Sequence, residues 1–140
     1  MRRTVTTLLV AAVLSLSIVD AAAAVKAAAT RKIVSTKSFA GSTASVDRWG
    51  ELQVRITVRK TTTITGSKRK VTRRITAVSV PVYPNHTDRS VFINSQAIPI
   101  LRSETLRAQS AAVDLVSGAS DTSDAYVQSL QAAILKAKRA

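Results

Sequence analysis

The sequence predicts an α+β fold, a small antiparallel sheet followed by two main helices, and three observations carry that expectation. Leu52, Val54, Ile56 and Val58 alternate with Gln53, Arg55, Thr57 and Arg59, the period of a strand with one buried face. Beyond Ser95 the apolar residues recur at helical spacing instead. Strand patterns come first and helix patterns after, with no βαβ alternation, so the sheet is expected to be antiparallel.

Taken in order, Arg2 and Arg3 precede an apolar stretch from Leu8 to Val19, and Ala22, Ala23 and Ala24 supply the small residues that signal peptidase requires. Residues 1–24 therefore read as a signal peptide, and an exported, extracytoplasmic protein is expected. An uncleaved membrane anchor is the alternative, although the apolar stretch is short for a span and Asp20 interrupts it. Residues 25–36 are rich in Ala, Lys, Arg, Thr and Ser without apolar periodicity and read as a linker. Residues 37–140 form the domain.

Within it, the strand at Glu51–Lys60 continues through β-rich Thr61–Ser67, which contains Gly66, and Val71, Ile75, Val78, Val80 and Val82 mark a return over Lys70–Val82. The two form a long hairpin. The return strand mixes its faces, which predicts a bulge or cover on both sides, and Pro81 places it at an edge or strand end. Pro84, Asn85, Asp88 and Arg89 are turn residues, and Val91–Ile93 is a short apolar step. A helix is expected from about Ser95 to Ser110, with Pro99 in its first turn and Ile98, Leu101, Thr105 and Ala108 as its stripe. A last helix is expected from about Ser123 to Lys138, with Val127, Leu130, Ile134 and Ala137 on one face and Asp121 or Ser123 as N-cap.

Composition bounds the chemistry. With 140 residues, 46% of them hydrophobic and 21% charged, the chain has room for one domain with a modest core. Aromatic residues make up 4%, so a planar ligand has few rings to stack on beyond Phe39, Trp49, Tyr83, Phe92 and Tyr126. The lack of cysteine excludes disulfides, thiolate metal sites, iron–sulfur clusters and Cys-linked haem. His86 is the single histidine, so a His-rich metal site is excluded and His86 reads as an ordinary loop residue. The net charge of +13 predicts attraction to a membrane surface, an acidic cell wall or another polyanion. Nucleic acid is not an expected partner, because the cations are scattered and not interleaved with aromatics.

Between the two helical patterns lies Asp114-Leu115-Val116-Ser117-Gly118-Ala119-Ser120-Asp121-Thr122-Ser123. It is small and hydroxyl-rich and precedes a helix, whose backbone N–H groups and positive dipole end suit a phosphate. Gly118 lets backbone approach a ligand closely, and Ser117, Ser120, Thr122 and Ser123 supply hydroxyls. By composition alone the segment reads as a plain loop and helix cap, which Ser, Asp and Gly before a helix normally are.

Asp114, Ser117, Gly118 and Ala119 match an Asp-x-x-Ser-Gly-Ala-Thr motif, and other segments agree in order: Phe39-Ala40-Gly41, Trp49-Gly50 leading into Leu52-Gln53-Val54, Ile98-Pro99-Ile100-Leu101, Glu104-Thr105-Leu106, Ala108-Gln109-Ser110 and Ser129-Leu130-Gln131-Ala132. Over about residues 38–137 the chain resembles the FMN-binding family, which includes flavin-carrying subunits of sodium-pumping NADH:quinone reductase and small exported flavoproteins. The resemblance implies FMN as cofactor, its phosphate joined to Ser120 by a flavin transferase that uses FAD and magnesium. Ser120 stands where the family has Thr, and it retains the hydroxyl. On the same resemblance Ser117, Gly118, Ala119 and Thr122 shape the phosphate pocket, and Asp114 orients the acceptor segment or assists its modification. Trp49 either stacks on the isoalloxazine or belongs to the core, and Leu101 and Gln109 line the flavin. The basic hairpin Thr61–Arg74 departs from the family and reads as a partner surface or the edge of the flavin site.

The function expected is electron transfer between a membrane-bound reductase and an extracellular acceptor, without a substrate of the protein's own. A non-redox basic module for an anionic polymer or cell surface is the alternative, and a flavin reductase or oxidase a third. A hydrolase set drawn from Ser120, His86 and Asp114 lacks the Gly-x-Ser-x-Gly elbow.

Overall fold

The alternating run at residues 52–58 becomes the spine of the molecule. In the computed structural model, which describes residues 29–140, the elements are β1 (Thr30–Ala40), β2 (Ala44–Ser45), a 3₁₀ turn (Asp47–Trp49), β3 (Glu51–Thr65), β4 (Lys68–Val82), α1 (Asp88–Ala108) and α2 (Ser120–Arg139). The fold is α+β, as the order of patterns predicts. The signal peptide expected at residues 1–24 and the start of the expected linker lie outside the described residues.

β3 is central, with β1 antiparallel on one side and β4 antiparallel on the other. β2 pairs with the start of β3 through Ala44↔Leu52. The β3–β4 hairpin closes through Gly66 and Ser67, with Gly66 at φ 61°. That positive φ at the first loop position is what a two-residue hairpin turn demands of glycine. β4 forms one edge and carries two irregularities in its register with β3, one between Gln53 and Arg55 and one between Thr57 and Val58. The first is opposite Val80 and Pro81, so proline occupies a position where the ladder is already broken.

Leu52, Val54 and Ile56 are fully buried on the face that the helices cover, and Leu101, Tyr126, Leu130 and Ala133 close the core from the other side. α2 lies over β3 and α1 along β4. The approach of α2 is close because its buried face is largely Ala and Ser. Between β1 and β2 the Val54 N–H donates to Ser129 Oγ at 2.8 Å, while the Gly41 N–H donates to the Val54 carbonyl at 2.8 Å. A helix side chain thus satisfies the strand where its neighbour is interrupted.

Three expectations are corrected. Thr30–Thr36, read as linker, belongs to β1 and pairs with Thr65–Arg59; its polar composition reflects a strand exposed on both faces, which has no apolar alternation to display. The first helix starts at Asp88, not near Ser95, because Thr87 caps it: the Ser90 N–H donates to Thr87 Oγ1 at 3.1 Å. Val91–Ile93 is therefore helical and Pro99 lies inside the helix. The second helix begins at Ser120 with Ala119 as N-cap and no side-chain cap bond, so neither Asp121 nor Ser123 caps it.

Candidate functional site

The first turns of both helices open on one cleft of about 280 Å³. The 3₁₀ turn contributes Arg48 and Trp49, the exit of β4 contributes Pro84, α1 contributes Arg89, Ser90 and Asn94, and the loop into α2 contributes Gly118 to Thr122. Gly118 is at φ 80°, and a Cβ there would meet nothing within 4 Å. Its requirement is the left-handed backbone rather than space. That conformation belongs to the third residue of the turn Val116–Ala119, which the Ala119 N–H closes by donating to the Val116 carbonyl at 3.0 Å.

The hydroxyls of this segment have different fates. Ser123 Oγ accepts from the Val116 N–H at 3.0 Å and donates to the Ala119 carbonyl at 2.8 Å. Thr122 Oγ1 donates to Asn94 Oδ1 at 2.9 Å, and both residues are buried. Ser120, the first residue of α2, is exposed and lines the cleft. Ser117 is exposed but outside the cleft lining.

With no side-chain cap on α2, the N–H groups of its first turn have no intrahelical acceptor. The residues of that turn, Ser120 to Thr122, line the cleft together with Arg48 and Arg89, and with Asp47. Trp49 is half-buried, and the Arg48 guanidinium lies 5.2 Å from its ring centroid, within cation–π range.

Of the residues singled out from sequence, the cleft gathers Trp49, Gly118, Ala119, Ser120 and Thr122. Asp114 is exposed on the loop and does not line the cleft. Leu101 is fully buried in the core, packed under the helices instead of facing a ligand. Gln109 is likewise structural: its amide accepts from the Ile75 N–H at 2.8 Å and donates to the Ile75 carbonyl at 3.0 Å, completing β4 beside its bulge. His86 is an exposed loop residue.

Arg48, Arg89, Ser90 and Asn94 were not legible as site residues. The last three fall in the segment read as turn and apolar step. The Thr87-x-x-Ser90 pattern before an apolar run was the available signal, since a helix from Asp88 puts Ser90 and Asn94 on one face. Among the described residues no cluster of His, Cys, Asp and Glu is placed to hold a metal ion, and no helix is long and apolar enough to cross a membrane. The sequence matches no protein-family model and no curated protein.

Proposed function

We propose that this chain is an exported flavoprotein that holds FMN in the cleft between the helix N-termini, esterified through the FMN phosphate to Ser120, and that it serves electron transfer. The observation that carries the reading is the selective exposure of Ser120. It stands on the cleft at the start of α2, while the adjacent Thr122 and Ser123 hydroxyls are committed to internal hydrogen bonds.

The residues present fit the group. An uncapped helix start and two arginines suit a phosphate. Trp49 with Ile93, Pro84 and Val46 offers an aromatic and apolar wall for a planar ring. A second cleft of about 430 Å³ between the end of β4 and α1, also lined by Asn94, adds Tyr83, Val91 and Ile98. When bound, FMN supplies one- and two-electron redox chemistry. The chain supplies the attachment oxygen, the orientation and the electrostatics.

Attachment would use Ser120 Oγ as the acceptor for the FMN phosphate of FAD, with the pyrophosphate bond broken, AMP as the leaving group and the serine proton released. A flavin transferase with magnesium is the catalyst required for this step. The electron partners are a membrane-bound reductase and an extracellular acceptor.

The test is the visible spectrum of the chain produced with a flavin transferase in the extracytoplasmic space. Flavin absorbance that remains with the chain after denaturation and gel filtration is expected. A colourless protein under those conditions overturns the reading and favours a non-redox binding module.

A further inference from the structure

The three long strands outrun the helices. α2 ends over Lys60, whose Nζ donates to the Ala140 carbonyl oxygen at 3.0 Å, whereas β1, β3 and β4 continue to Thr30, Thr65 and Lys68. This arm carries Arg31 and Lys32 on β1, Arg59 and Lys60 on β3, and Lys68–Lys70, Arg73 and Arg74 on β4. β1 and β4 contain no acidic residue, and the one in β3 is Glu51, at the opposite end.

The register intensifies the charge. Arg59 pairs with Arg74 and Lys60 with Arg73, so two successive rungs place like charges directly opposite each other on both faces. Such pairs destabilise a sheet when left unneutralised. The ion pair formed among the described residues joins Arg107 to Glu104, both on α1. Among the described residues no acidic side chain pairs with the arm's cations, so an anionic partner is suited to neutralise them.

We propose that the arm docks on a membrane surface bearing acidic phospholipid headgroups, a role separate from the flavin reading and independent of it. Ile33, Val34 and Val71 stand among the cations with 46%, 53% and 38% of their surface exposed, the mixture of apolar and basic side chains that suits a headgroup interface. The arm has no aromatic residue, so stacking of unpaired bases has no platform on it. The described chain begins at the tip of the arm, where Thr30 pairs with Thr65, and the apolar stretch Leu8–Val19 lies upstream in the sequence. The cleft sits at the other end of β3, beside Val46 and Trp49, so a docked arm leaves it open to solvent.

The experiment is co-sedimentation of the full chain with phosphatidylcholine vesicles, with and without phosphatidylglycerol. The apolar N-terminal stretch contributes to both, the difference between them reads the cations of the chain, and substitutions in the arm isolate its share. Preference for the acidic vesicles is expected, falling as salt is raised through the range where the Debye length drops below about 8 Å. Replacing Lys68, Arg69, Lys70 and Arg74 together by Gln should lower that preference by roughly fivefold for each charge removed. The charge-keeping pair Arg69→Lys and Arg74→Lys should retain it. Equal association with both vesicle types, or association indifferent to salt, overturns the proposal with no substitution needed. So does tighter binding to soluble duplex DNA or polyphosphate than to acidic vesicles at the same salt, which would assign the arm to a polymer.

Discussion

Thr122 Oγ1 donates to Asn94 Oδ1 at 2.9 Å, and Asn94 Nδ2 donates to the Pro84 carbonyl at 2.7 Å. One buried amide thereby ties together α1, α2 and the exit of β4, three of the segments that wall the cleft. Asn94→Ala leaves a buried hydroxyl and a carbonyl without partners, so it should destabilise the domain by about 2–3 kcal/mol. Urea denaturation measures this; an unchanged midpoint would remove Asn94 from its structural role.

Gly41 and Gly118 should respond differently to alanine. A Cβ on Gly41 would collide with the carbonyl oxygen and hydroxyl of Ser129, which is fixed within α2. Relief requires shifting a helix off the sheet, at a cost of about 3 kcal/mol or more. At Gly118 there is room, and alanine meets only the penalty of its positive φ, about 1–2 kcal/mol. Thermal unfolding should place Gly41→Ala well below Gly118→Ala, and the reverse order would contradict the packing described.

Burial pushes the Tyr126 phenol above its ordinary value of 10.0, opposed by its hydrogen bond with Thr105 and by Arg102. The unfolded chain releases this proton first, so the folded state binds more protons above pH 10. The Tyr126 contribution to stability is complete below that pH and is lost as pH rises through the folded value. Tyr126→Phe should cost about 1 kcal/mol at neutral pH through its hydroxyl bonds and flatten the alkaline decline. Denaturation midpoints from pH 8 to 11 give the comparison, and parallel curves for the two proteins would refute it.

Trp49 is the single tryptophan and lines the cleft, so its emission should report occupancy. Free FMN added to protein made without a transferase should quench it saturably. Arg89→Gln, which removes a cation from the lining, should weaken that binding roughly tenfold. Quenching that is linear in FMN and indifferent to Arg89 would show that no site is being filled.

The parts legible in the sequence were those with a strong local period or a motif. Alternation at Leu52–Val58 marked the central strand, Gly66 marked the hairpin, and Pro81 marked an irregular edge. The Ser117-Gly118-Ala119-Ser120 run led to the cleft because a left-handed glycine before a helix is a local requirement. β1 was hidden because most of it is exposed on both faces and its stability comes from pairing with β3. Asn94 and Arg89 were hidden by the misplaced start of α1, where a threonine cap outweighed the later proline as a boundary. Leu101 and Gln109, adjacent to the site in sequence logic, serve the core and the β4 bulge, a distinction that only the tertiary register makes.

The most direct test of the account is the intact mass, under denaturing conditions, of wild type and Ser120→Ala produced with a flavin transferase. Wild type should carry the added mass of one FMN less water, Ser120→Thr should carry it too, and Ser120→Ala should carry none while keeping its folded circular dichroism. Covalent flavin on Ser120→Ala, or wild-type protein that stays unmodified while the transferase labels a control substrate, would contradict Ser120 as the attachment point.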